Sequence, residues 1–379
     1  MRSIMKNSII NKIKSAIVFF VISPVILSAQ WDINVSTSQE YNSNPFRSPL
    51  PEANLISSLD LGLQREIGQF NVLYYGSYTG FDNSQDRNYY WHQLGLYKEN
   101  ENSMFGIYGE QRINKTDYNY FDYYNLTGYY RQKIESQYFF PTISFSGTFK
   151  KYLQLSEYDN FFLNAGISLN KGFESKTTLI LTGTLNYKYY FNSIIPSQNV
   201  DLGMYSRRGQ QGEQLTTTQL YTNLRIAQSL FENTGLAVYY TNRFLFGDNE
   251  SLNSGYDYGF GDESDLFDDP VSRNENAFGA ELTQIMPEEI IVKAGYEFSS
   301  RLYPSQGIYI NAIDYETGTD RTDEQNYFYF GINKIFSLDN DEMFNLNTGI
   351  NYGFIEKKSN SYWYEYSGSN ITLNLSLQF

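Results

Sequence analysis

A chain with one histidine and no cysteine has few ways to carry out covalent or metal chemistry. His92 follows two acids, Asp82 and Asp86, and a histidine held by a carboxylate can work as a general base. The residues around it argue otherwise. In Tyr89-Tyr90-Trp91-His92-Gln93-Leu94-Gly95-Leu96 the histidine shares a strand face with Leu94 and Leu96, the apolar side, because side chains alternate with period two. No Gly-x-Ser-x-Gly elbow accompanies it, and no His-rich metal spacing. The expectation is a structural histidine, no catalytic residue, no metal and no cofactor.

Charge offers two further constellations. Residues 247–272 hold Asp248, Glu250, Asp257, Asp262, Glu263, Asp265, Asp268 and Asp269, with no base before Arg273. Oxygen ligands at that density suit Ca²⁺, but the spacing lacks the alternating acids, the glycine and the distal Glu of a calcium loop. A solvated acidic loop is expected, or one that folds inward and narrows a passage. The second constellation lies within alternating segments. Arg112, Arg131, Lys133, Lys188, Arg225, Arg243, Lys293 and Arg301 fall on the polar side, against Asp60, Glu66, Glu110, Glu281 and Glu297. Eight bases against five acids is a mild positive excess inside an acidic protein, and a lumenal ring of charge tunes selectivity if the polar side lines a pore. The competing reading is paired charges that fill the interior.

The elements that must position these residues are strands. Alternation marks them at 31–41, 53–66, 70–81, 89–98, 103–115, 123–133, 138–150, 160–171, 176–191, 215–231, 235–246, 273–286, 290–301, 325–335, 343–356 and 369–379. Short connections alternate with long ones along the whole chain. The long ones are 42–52, 82–88, 116–122, 151–159, 192–214, 247–272, 302–324 and 357–368. Leu179, Leu181, Leu185 and Tyr187 oppose Thr178, Thr182, Thr184, Asn186 and Lys188, while Phe344, Leu346, Ile350, Tyr352 and Phe354 oppose Asn345, Asn347, Gly349, Asn351 and Gly353. This is an all-β chain, read as a single closed antiparallel transmembrane β-barrel of about 16 strands, with fourteen the competing count. Tyr89-Tyr90-Trp91, Tyr123-Tyr124, Tyr189-Tyr190-Phe191 and Tyr362-Trp363-Tyr364 lie near strand ends, where rings with a polar tip form interfacial girdles.

The last nine residues alternate strictly, with Ile371, Leu373, Leu375, Leu377 and Phe379 on one face. This segment resembles the closing strand of bacterial outer-membrane β-barrels. The resemblance implies that Leu375, Leu377 and Phe379 form a signal captured by the barrel-assembly machinery, and that the protein resides in the outer membrane. Residues 1–30 carry Arg2, Lys6, Lys12 and Lys14, then the apolar run 16–27, then Ser28-Ala29-Gln30, the order of a secretory signal peptide. Cleavage is expected after Ala29 or Gln30, leaving one barrel domain at 31–379. Strand pattern starts at Trp31, so no N-terminal plug domain is expected.

Composition agrees. Tyr, Phe and Trp make up 18% of the chain and mean hydropathy is −0.48, a combination that arises when only the lipid-facing half of each strand must be apolar. Loss of residues 1–30 takes the formal charge from −14 to −18, which excludes nucleic acid as a partner. The expected function is a passive or substrate-selective channel for small solutes. The alternative is a surface-exposed structural or interaction barrel: an adhesin, or a secretion or polysaccharide-export component. Architecture resembles porins, and also outer-membrane phospholipases and proteases, whose histidine chemistry this chain lacks. Oligomeric state and cargo are left open.

Overall fold

A computed structural model of the chain describes residues 31–136, 138–191, 216–246, 269–304, 306–316, 318–338 and 344–378. Sixteen strands form one closed antiparallel barrel. In chain order they are β1 (Asp32–Asn42), β2 (Asn54–Ile67), β3 (Phe70–Phe81), β4 (Tyr89–Glu99), β5 (Ser103–Asn114), β6 (Tyr123–Lys133), β7 (Phe140–Tyr152), β8 (Asn160–Gly172), β9 (Thr177–Tyr190), β10 (Thr216–Phe231), β11 (Thr234–Leu245), β12 (Asn274–Ile285), β13 (Ile291–Tyr303), β16 (Arg321–Ser337), β17 (Asn345–Ser359) and β18 (Tyr366–Gln378). The other two, β14 (Ile308–Tyr309) and β15 (Tyr315–Glu316), make a small hairpin within the connection from β13 to β16. The signal-peptide expectation at 1–30, the assembly residue Phe379 and most of the two long loops at 192–214 and 247–272 lie outside the described residues.

Closure is made by the two ends of the sheet. β1 runs against β18 from Asn34 opposite Gln378 to Asn42 opposite Asn370. At the long-loop end the seam is fastened further. Ser43 N donates to Ser369 O at 2.9 Å, Ser369 N to Ser43 Oγ at 2.8 Å, and Asn44 Nδ2 to Ser367 O at 3.0 Å. With every edge paired, the backbone polar groups are satisfied within the sheet, the condition for standing in hydrocarbon.

The outer face carries Leu59, Leu94, Leu126, Phe145, Leu185, Phe278, Ile350 and Leu373, all exposed. Removing such a side chain from water is worth about 1.5–3 kcal/mol, so an exposed belt of them is stable only against lipid. Their strand neighbours point to the other side, and Thr127, Asn186, Glu275 and Gln325 are buried there. On that inner face two glycines matter. A Cβ at Gly279 or Gly295 would collide with the ring of Tyr239 or Tyr329, so their absence lets both rings lie flat along the wall.

The aromatic runs at strand ends are not all girdle. Tyr90, Tyr124 and Phe191 are exposed as expected, but Tyr190 and Tyr364 are 0% and 2% exposed. Tyr190 packs with Phe121, Tyr152 and Tyr158 under the connections after β5 and β7, while Tyr364 lies against Arg321. Adjacent residues in a strand face opposite ways, so a run of three aromatics at a rim supplies both faces.

Candidate functional site

The inner wall is the candidate site, and it has two characters. Across β3 to β6 one row of directly opposed residues reads Ser77, Trp91, Arg112, Tyr123. Tyr75 sets its ring edge-on to Trp91 at 5.3 Å between centroids. The Arg112 guanidinium stacks over Tyr89 at 4.0 Å, and Lys150 Nζ lies 4.3 Å from the Tyr123 ring. Acids border the rings. Tyr123 donates to Glu110 at 2.6 Å, and Asp60 accepts from Ser36 at 3.1 Å and Ser77 at 2.6 Å. Tyr75, Ser77, Tyr89, Trp91, Arg112 and Tyr123 line a cavity of about 360 Å³.

From β9 round to β17 the wall is charged and, toward the long-loop end, dry. Glu275 is gripped by three arginines: Arg301 Nε at 2.8 Å, Arg243 Nε at 2.9 Å and Arg273 Nη2 at 3.1 Å. Asp323 accepts from Arg321 Nε at 3.0 Å and from Lys357 Nζ at 2.8 Å, and the side chains of Asp323, Arg321 and Lys357 are all 0% exposed. Arg321 also donates to Gln306 at 2.9 Å and lies against Tyr303 and Tyr364 at 3.9 and 3.3 Å. The connections that supply Gln306 and Tyr364 therefore fold onto this wall and exclude water from it. Charges taken out of water need partners of opposite sign, and each cluster provides them.

The acidic loop also comes inward where it is described. Lys188 Nζ meets Asp269 Oδ2 at 2.6 Å, with both side chains 2% exposed. Asp269 caps the 3₁₀ turn Pro270–Ser272 by accepting from Val271 N at 3.0 Å, and Gln219 Nε2 donates to Pro270 O and Arg273 O at 2.8 Å each. The end of the loop, residues 269–272, thus crosses the inner faces of β10 and β9. Residues 247–268 lie outside the described residues. Among the described residues no group of three His, Cys, Asp or Glu is placed to hold a metal.

Toward the short-turn end the wall is wet. Lys293 sits 3.7 Å from Glu281 with its side chain 43% exposed, and Tyr329 donates to Glu281 at 2.7 Å. Arg225 and Glu281 line a second cavity of about 420 Å³. Glu297 and Arg301 follow Lys293 on the inward parity of β13, and Arg131 and Lys133 share the inward parity of β6 with the buried Thr127. The sequence reading missed Arg273, Glu275, Arg321, Asp323 and Lys357. For β16 a signal exists in the polar alternation Arg321, Asp323, Gln325 that precedes the apolar part of the strand. His92 is on the outward parity with Leu94, and its Nδ1 is hydrogen-bonded to Tyr74 Oη at 2.8 Å rather than to Asp82 or Asp86.

No protein-family model matches the sequence, and no curated protein resembles it in sequence. Solved structures do resemble it in fold. OccAB1 of Acinetobacter baumannii aligns with a TM-score of 0.56 at 9% identity, over 94% of this chain and 98% of that one. OpdK of Pseudomonas aeruginosa, solved with vanillate, gives 0.54 at 8% over 92% and 99%. OccAB3 of A. baumannii gives 0.53 at 7% over the same shares. In fold the chain is a closed sixteen-strand β-barrel of porin-like architecture.

Proposed function

We propose that the protein is a channel that passes small polar solutes across the bacterial outer membrane. The observation that carries this reading is Lys293, an inward-facing ammonium of the barrel wall whose side chain keeps 43% of its exposure. A sixteen-strand barrel is wide enough for an aqueous lumen unless it is filled, and a charged side chain stays that exposed only where water reaches it. The likeness to OpdK, a barrel solved with vanillate, supports a small molecule as cargo. Lining the passage are Arg112, Arg131, Lys188, Arg225, Arg243, Glu281, Lys293, Glu297 and Arg301. Three of these act as wall structure as much as field sources: Arg243 and Arg301 are bound to Glu275, and Lys188 is buried against Asp269. On this reading the one histidine, outward-facing and hydrogen-bonded to Tyr74, serves the wall rather than catalysis.

The same reading has residues 1–30 removed as a signal peptide, the long loops at the cell surface, and Leu375, Leu377 and Phe379 read by the assembly machinery. A second reading, a filled scaffold that binds a surface partner, is favoured by the dry charged wall under Gln306 and Tyr364. Planar-bilayer recording separates them. Stepwise conductance from the folded protein is the channel result; a folded barrel that never conducts would be the scaffold result.

A further inference from the structure

We propose that the aromatic wall of β3 to β6 is a binding site for a neutral saccharide, which deepens the channel reading and rests on it. Three features lead there. The first is shape and surface: the cavity of about 360 Å³ is lined by Tyr75, Tyr89, Trp91 and Tyr123 together with Ser77 and Arg112. A pyranose has one face of C–H bonds that packs on an aromatic ring and an equator of hydroxyls that needs donors and acceptors. Rings with hydrogen-bonding groups among them meet both needs.

The second is charge. Within the patch Arg112 and Lys150 are matched by Asp60 and Glu110, and the rings lie between them. An anion gains nothing from a balanced site, whereas a polyhydroxyl gains charge-assisted hydrogen bonds from both signs. The other inward bases lie away from the cavity: Arg225 and Lys293 on β10 and β13, and Arg131 and Lys133 at the short-turn end of β6.

The third is continuity. Below this cavity the inward parity of β5 and β6 continues with Tyr108 and Tyr129, whose rings are 6.1 Å apart. A Cβ at Gly106 would come within 2.7 Å of both the Tyr129 hydroxyl oxygen and Tyr97 Cβ, so the glycine makes room for these residues against the wall. Rings thus recur at two levels of this wall, with Gln93, Glu110 and Asn125 in the row between them, so a sugar longer than one ring meets a second aromatic pair after a row of hydrogen-bonding groups.

The test uses maltotriose, cellotriose and laminaritriose as probes on the full folded protein. In planar bilayers at least one is expected to block the ion current in a saturable, concentration-dependent way. Trp91→Ala and Tyr75→Ala should each raise the half-blocking concentration at least tenfold, Trp91→Phe much less, and Glu288→Gln, in the short turn Pro287–Glu289, not at all. All variants are first checked for a heat-shifted gel mobility, so that a misfolded barrel is not scored. Binding is read independently from Trp91 fluorescence in detergent, in a Trp31→Phe, Trp363→Phe background. A saturable fluorescence change in a protein that does not conduct keeps the saccharide site and removes the channel. Conductance with no block and no fluorescence change for any of the three probes overturns the site. Equal or stronger block by benzoate overturns its assignment to neutral sugars.

Discussion

The two halves of the inner wall solve the same problem in opposite ways. β3 to β6 present rings and matched charges to open space, under connections such as 82–88, which carries the 3₁₀ turn Gln85–Arg87. β12, β13, β16 and β17 present a denser set of charges, and their connections fold down and seal them at the long-loop end. The pattern of alternation is the same in both. The difference lies in what covers the inner face, and it separates a surface that can exchange ligand from one that holds the barrel's shape.

The sharpest way to break this contrast is to remove a carboxylate from each side. Asp323→Ala strands Arg321 and Lys357 in a dry site and should cost about 3–5 kcal/mol, seen as a large drop in the urea midpoint or loss of the heat-shifted band. Asp60→Asn, which loses only hydroxyl donors on a half-open wall, should cost about 1 kcal/mol. Equal costs would mean that the two walls are not different in kind. Next in size is the outer face. Leu181→Arg and Ile350→Arg should each destabilise by about 2–4 kcal/mol near the bilayer midplane, and Thr182→Arg and Asn351→Arg much less. Equilibrium unfolding into urea measures all four, and the reverse order would shift the register by one residue throughout.

Smaller still are effects on selectivity. Arg225 has no ion-pair partner among the described residues, so Arg225→Ser should move the reversal potential in asymmetric KCl toward cations and leave folding intact. Arg301→Ser should instead lower folded yield first, because it takes one of three cations from Glu275. The smallest effect is at the short turn Pro287–Glu289, where Lys334 donates to Glu288 at 2.8 Å. That hydrogen bond, and then the ammonium charge, hold the Glu288 carboxyl below the usual glutamate range. A depressed carboxyl stabilises the fold above its unfolded range and loses that contribution as pH falls through the folded one. Lys334→Ala should therefore differ slightly from wild type at pH 7, by a margin that shrinks as pH falls through the acid range, compared as urea midpoints.

Much of the barrel was legible because lipid imposes a strict rule on every second residue. Strand ends from β1 to β12 match the alternation within one or two residues. The errors gather where that rule stops applying. β16 begins at Arg321, four residues before its apolar alternation, and β17 and β18 run to Ser359 and from Tyr366 in stretches expected to be loop. There both faces are polar, so nothing in the local pattern distinguishes a strand rising above the membrane from a loop. The charge partners were less legible still. Lys188 was placed inward by parity, but its partner Asp269 lies 81 residues away in a run of eight acids that look alike. Tyrosine was the other ambiguity, serving as girdle at Tyr90 and as buried packing at Tyr190.

The seam between β1 and β18 has a consequence for how the molecule is made. Fifteen of the sixteen strand pairings join neighbours along the chain, and each can form as soon as its two strands are present. The sixteenth joins Asn34 to Ser376 across 342 residues. Since loop-closure entropy grows with the logarithm of loop length, this last pairing carries about 2 kcal/mol more than a typical hairpin of this barrel. Until it forms, both β1 and β18 expose a row of unpaired amides in a chain rich in β-formers, the condition that invites aggregation. Growth of the sheet is therefore local and progressive, while closure needs β1 and β18 together and is the pairing that removes both open edges at once.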